Sequence, residues 1–231
     1  MELITANLFT DPTLSYYCRF EGNSNDSKGS NNGVDTSITY SSTNGKYGQG
    51  AGFNGTTSKI AIADNNALDL DTGDFSITCW VNLVAKTNTR HIISKLVDGS
   101  NYYELRVSSS GDGIVSFDSY ATARKCQVIG TTSLSTATWY FIAVVVDRDS
   151  AANTKIYLNA VNDTAGTPTV STDTIANAAA LWFGADQFGG GGNFYSGAVD
   201  DLATFKGKAL SQAEVTQLFI EQSGLNIALE L

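Results

Sequence analysis

Gly45-Lys-Tyr-Gly-Gln-Gly-Ala-Gly-Phe-Asn-Gly55 carries the spacing G-x-G-x-x-G at Gly50, Gly52 and Gly55. Acidic residues follow about 20 positions later, as in a dinucleotide-binding fingerprint. Such a site needs a strand before the glycines and a helix after them, so that helix N-terminal amides face the phosphates. Here Thr57-Ser58-Lys59-Ile60-Ala61-Ile62-Ala63 alternates with period two and breaks at Asp64-Asn65-Asn66. That pattern is a short strand ending in a turn, and it excludes the nucleotide fold.

The same alternation recurs almost to the C-terminus. Strands are expected at 14–20, 37–40, 51–54, 59–63, 74–83, 90–96 and 102–108, then at 113–119, 125–130, 138–147, 154–158, 180–184 and 196–204. Turn markers separate them: Asn-Gly at 32–33 and 44–45, Asp-Gly at 98–99 and Gly-Asp-Gly at 111–113. About a dozen short strands at such spacing, with no linker, describe one all-β domain over residues 1–231. Trp139–Val146 is apolar on both faces and is expected as a central strand covered on both sides. Along Phe75–Val81, Trp80 falls on the more polar face, where a ring either meets ligand or packs beneath a loop. One helix is expected after the last strand. Ser211-Gln-Ala-Glu214 is a capping box, and Val215, Leu218 and Phe219 form its apolar stripe.

Composition agrees. The chain has 231 residues, 42% hydrophobic and only 16% charged, with abundant Gly, Ser, Thr and Asn. Its net charge of −9 argues against nucleic acid and anionic membranes, and is compatible with a neutral glycan or a bound cation. No stretch approaches the ~20 apolar residues of a membrane span. The start has no basic segment and no long apolar run, so no signal peptide is expected; the chain is a product made without export or a domain of something larger. Cys18, Cys79 and Cys126 sit among apolar or β-branched residues and read as buried thiols, with a bridge between two of them left open.

Several blocks, in order, resemble the laminin-G-like, concanavalin A-like lectin/glucanase superfamily. Tyr16-Tyr-Cys-Arg-Phe20-Glu with Asp26-Ser-Lys-Gly29 resembles the opening strand and its acidic loop, and Gly45–Gly55 the glycine-rich strand pair. Asp74–Val81, Trp139–Asp147 with Lys155–Asn159, and Gly197-Ala-Val-Asp200-Asp201-Leu with Ala209–Val215 resemble the later strands and the helix. Asn159-Ala160 departs from the usual Asn-Gly and puts that hairpin turn in question. The resemblance implies a two-sheet antiparallel jelly-roll sandwich with one short C-terminal helix. It also implies a structural Ca2+ joining Asp26 to Asp200, with a carbonyl near Gly50; Glu21 and Asp201 are secondary positions. Hard oxygens from distant segments suit Ca2+.

Catalysis finds little support in the sequence. No strand carries the Glu-x-Asp-x-x-Glu pattern of related glucanases, His91 is the only histidine, and no G-x-S-x-G elbow occurs. A non-catalytic carbohydrate-binding module is the leading expectation, with Trp182, Tyr195, Asn193 and Tyr103 as ligand-binding candidates beside Tyr102, Tyr120 and the loop 186–195. The rival is a structural or adhesive virion protein, a phage decoration or tail-fibre domain, binding protein or cell-surface glycan and forming a homo-oligomer.

Overall fold

The computed structural model describes residues 8–86, 90–108, 113–188 and 191–222. Among these residues the strands are β1 Leu14–Cys18, β2 Gly33–Thr36, β3 Thr39–Ser41, β4 Gly50–Asn54, β5 Lys59–Ile62, β6 Phe75–Leu83 and β7 Arg90–Asp98. There follow β8 Asn101–Ser108, β9 Ile114–Ala121, β10 Ala123–Ser133, β11 Trp139–Val146, β12 Lys155–Leu158, β13 Val161–Asn162, β14 Leu181–Phe183 and β15 Ser196–Lys206, then the helix α1 Gln212–Gln222. Two antiparallel sheets result. One is eight-stranded, in the order β13-β12-β11-β6-β15-β4-β3 with β1 also on β15; the other is seven-stranded, β10-β9-β8-β7-β14-β5-β2. They enclose one core of alternate residues, including Ile77, Phe117, Val144 and Phe183, as a face-to-face sandwich requires.

The glycine-rich stretch is sheet, not a phosphate cradle. Gly50–Asn54 is β4, Gly55 turns at φ +76°, and β5 follows. A Cβ on Gly50 would lie 2.1 Å from the Asn44 carbonyl oxygen, and one on Gly52 2.3 Å from Asn44 Nδ2. These glycines let the preceding loop lie against the strand.

β11 is covered on both faces. Ile142, Val144 and Val146 enter the inter-sheet core, while Phe141, Ala143 and Val145 join a second cluster under α1. Trp80 belongs to that second cluster, only 3% exposed, with its ring 5.5 Å from that of Phe219 on α1. It packs beneath the helix. The capping box forms: Ser211 N donates to Glu214 Oε2 at 2.8 Å, and Glu214 N to Ser211 Oγ at 3.3 Å. Asn159 and Ala160 both adopt positive φ (50° and 63°), so the β12–β13 hairpin keeps its tight turn without glycine.

Two strands escape the hydrophobic pattern. β2 and β13 are largely exposed edge strands, so nothing apolar marks them. All three cysteines are buried free thiols. Residues 111 and 112 of the Gly-Asp-Gly turn lie outside the described residues.

Candidate functional site

Inward side chains of the seven-stranded sheet belong to the core, which leaves the alternate positions to face outward. Register pairs place Val34, Ala61, Trp182, Ser94, Glu104, Asp118 and Gln127 in one outward row across all seven strands. Tyr102 and Arg106 flank Glu104 on β8, and Ser116 and Tyr120 flank Asp118 on β9, because side chains two apart share a face.

Glu104 and Asp118 therefore stand directly opposite one another, both buried, and like charges so placed repel. Arginines resolve the conflict. The Arg106 guanidinium pairs with Glu104 Oε1 and places Nη2 3.8 Å from Asp118 Oδ2. Arg124 grips Asp118 with two bonds, Nε to Oδ1 at 3.1 Å and Nη2 to Oδ2 at 3.2 Å. Burial pushes the Asp118 carboxyl above its usual range, while Arg124 and then Arg106 pull it down. Beside this network Tyr102 and Tyr120 stack across the strands, centroids 5.9 Å apart and planes 14° from parallel.

The loop after β14 closes the other flank. Asp186 exchanges main-chain bonds with Gly192, and Gln187 reaches Leu96 N and the Ala180 carbonyl. His91, beneath this loop, has Nε2 2.7 Å from Glu104 Oε2 and Nδ1 3.8 Å from Asp186 Oδ2. Burial lowers the His91 pKa to about 4, against the attraction of Asp186. The Nε2–Glu104 contact is a hydrogen bond whose donor depends on the ring tautomer.

The four residues expected to touch ligand are distributed differently. Tyr195 and Tyr103 are core residues, 0% and 2% exposed, their hydroxyls donating to main-chain carbonyls. Neither presents a ring face to solvent, which corrects the expectation for both. Asn193 is a loop brace, donating from Nδ2 to Asp186 Oδ2 at 2.6 Å. Trp182 does face outward, but the Lys59 ammonium sits 3.7 Å over its ring. Gly189 and Gly190 of the same loop lie outside the described residues. Glu104, Arg106, Asp118 and Arg124 were missed. Their signal was the polar alternation Tyr102-x-Glu104-x-Arg106 and Ser116-x-Asp118-x-Tyr120, dense in charge for a chain with 16% charged residues.

Asp200 and Asp201 lie at a break in the other sheet. Along one edge β15 pairs first with β4, up to Val199–Ala51, and then with β1, from Leu202–Cys18. Asp201 takes φ 45° at that junction. Asp200 Oδ2 accepts from the amides of Lys46 (2.8 Å) and Tyr47 (3.2 Å), and Asp201 Oδ1 from the Tyr17 hydroxyl (2.7 Å). Burial, with Asp201 alongside, pushes the Asp200 carboxyl up to about 7; burial pushes Asp201 up to about 6, with Glu21 adding to it. Asp26 is committed elsewhere. Its oxygens accept from the amides of Tyr17, Lys28 and Asn31 and from the Asn31 side chain. Among the described residues no three His, Cys, Asp or Glu side chains gather as a metal site.

A family model described as the concanavalin A-like lectin/glucanases superfamily matches residues 54–216. Among solved structures, domain 4 of AbnA, a GH43 extracellular arabinanase from Geobacillus stearothermophilus in complex with arabinotriose, is similar at 22% identity and TM-score 0.66, over 89% of this chain and 97% of that one. The binding domain of Paraclostridial Mosquitocidal Protein 1 matches at 16% identity and TM-score 0.68, over 90% of this chain and 52% of its own. The binding domain of botulinum neurotoxin DC in complex with SialylT matches at 15% and 0.64, over 91% and 52%. The chain thus spans about half of each toxin binding domain, and what those domains bind belongs to longer chains. At such identities the likeness establishes the fold. A search of curated proteins finds no match.

Proposed function

We propose that this chain, which belongs to the concanavalin A-like lectin/glucanase superfamily, is a non-catalytic glycan-binding module. Its ligand lies on the outward face of the seven-stranded sheet, against the Tyr102–Tyr120 stack and the Arg106–Asp118–Arg124 network. The observation that carries the proposal is the juxtaposition itself. Two nearly parallel aromatic rings stand beside guanidinium donors that buried carboxylates hold in place, on paired strands. Aromatic rings suit the C–H faces of sugars, and the part-exposed guanidinium donors of Arg106 and Arg124, held in place by buried carboxylates, suit neighbouring hydroxyls. The arabinotriose-bound arabinanase domain shows that a chain of this fold accommodates an oligosaccharide.

Glu104 and Asp118 are opposed carboxylates, the residue type on which glycosidases rely. Both are tied to arginine, and Glu104 also to His91, so neither is free to shuttle a proton. A glycan array with the intact chain tests the proposal: binding of a defined glycan class that is recovered unhydrolysed supports it, and silence across diverse glycans or release of cleaved product overturns it.

The junction in β15 supports a second proposal, a structural Ca2+ at Asp200 and Asp201. Burial holds both carboxyls at raised pKa values, and a cation would relieve their repulsion. With Asp200 and Asp201 as the adjacent carboxylates, main-chain oxygens would complete the shell. Asp26 is not needed. A melting scan in excess EDTA against excess Ca2+ decides this: a higher transition with Ca2+ that disappears in Asp201→Ala supports the site, and identical transitions overturn it.

A further inference from the structure

On the opposite side of the sandwich, the outward face of the eight-stranded sheet is covered by α1 over only part of its length. Beyond the helix an open groove of about 540 Å³ remains. In register, Thr39, Gly52, Ala198 and Asn82 form one row across β3, β4, β15 and β6. The two middle positions carry almost no side chain of their own, and the Asn44 and Thr39 side chains lie over Gly52. Gly52 leaves the room that the Asn44 side chain takes, since a Cβ would lie 2.3 Å from Asn44 Nδ2.

The polar groups along this trough are unequally committed. Asn44 donates through Nδ2 to the carbonyl and the hydroxyl of Thr39, both at 3.1 Å. Its side-chain carbonyl oxygen has no hydrogen-bond partner among the described residues. The half-buried Asn82 side chain and the Thr136 hydroxyl have no intramolecular hydrogen bond among the described residues. Val84, 71% exposed, adds an aliphatic flank. None of the lining residues is charged. Such a surface takes a ligand with hydroxyls and C–H patches. An anionic ligand would find no cation here, on a chain of net charge −9. Three inter-strand spacings give the row a length of about 14 Å, more than a single sugar ring needs.

We propose that this groove is a second saccharide site, specific for short neutral oligosaccharides and separate from the Tyr102–Tyr120 face. The two sites lie on opposite sheets, so either can fail without the other.

The test is amide chemical-shift mapping on the full chain with arabinotriose, cellotriose and maltotriose as neutral probes and sialyllactose as the charged one. At least one neutral probe shifts the amides of Gly52, Asn82, Val84 and Ala198 at millimolar concentration, and sialyllactose does not. Ala198→Leu, which fills the trough, and Asn82→Ala each weaken that binding at least about tenfold. Arg124→Ala leaves it unchanged. The dispersion of the same spectra reports folding, and Asn82→Ala decides alone if Ala198→Leu does not fold. The proposal is overturned if no neutral probe moves these amides, if sialyllactose moves them equally, or if Asn82→Ala binds like the parent.

Discussion

Arg106→Met removes the charge that lets Glu104 and Asp118 face each other, while keeping the stem that packs on the sheet. Directly opposed cross-strand residues have Cβ atoms about 5 Å apart. Two unit charges at that distance repel by about 3 kcal/mol at an effective dielectric constant of 20. The remaining Arg124–Asp118 and His91–Glu104 bonds soften this while loss of the Arg106–Glu104 pair adds to it, so about 3 kcal/mol is the expected loss. For a chain of this size it corresponds to a fall of about 6–12 °C in melting temperature. The sign with pH follows from Asp118, whose pKa already stands above the free value. A carboxyl with a raised folded pKa holds a proton the unfolded chain has lost, so stability declines as pH rises through that interval. Arg106→Met therefore melts well below the parent at pH 8 and approaches it near pH 5. Adding Glu104→Gln restores most of the loss at pH 8. Thermal melts by circular dichroism across this range read both effects. A variant that melts with the parent at every pH would refute the idea that Arg106 holds the two carboxylates together.

Ala160 occupies a left-handed position at φ 63°. Such a backbone costs an L-residue about 1–2 kcal/mol, so Ala160→Gly raises the melting temperature by about 2–8 °C; a lower melting temperature than the parent's contradicts the turn geometry. Lys95, 0% exposed, pairs with Asp64 at 2.8 Å and Asp69 at 3.0 Å and also bonds the Asn177 carbonyl. Lys95→Met strands those carboxylates and costs about 3 kcal/mol, the low end for breaking a buried pair because Asp64 stays 40% exposed. Urea unfolding measures it, and an unchanged midpoint would show that the amine is not the anchor.

Much of the fold was legible because alternation is a direct record of which face is buried. Trp139–Val146 showed its two covered faces in advance, and the Ser211–Glu214 box marked the start of α1. The exposed edges β2 and β13 left no apolar trace. The site was less legible. Which tyrosine of Tyr102-Tyr103 faces outward depends on one residue of register, and the core claims Tyr103. Glu104 and Asp118 are brought together by hairpin pairing alone, since no spacing within one strand announces a pair formed across two. Aromatics near a glycine-rich loop looked like ligand contacts, yet Tyr195 is needed to fill the core beneath that loop.

The most direct test of the central claim is a calorimetric titration of the glycan class found on the array into the parent chain, Tyr120→Ala and Arg124→Ala. Loss of one stacked ring removes about 1 kcal/mol or more. Loss of the Arg124 guanidinium removes a charge-assisted donor worth about 1.5–3 kcal/mol. Both variants should melt as cooperatively as the parent and bind at least about fivefold and tenfold more weakly, respectively. Unchanged affinity in both would place the glycan elsewhere and contradict the assignment of the seven-stranded sheet's outer face.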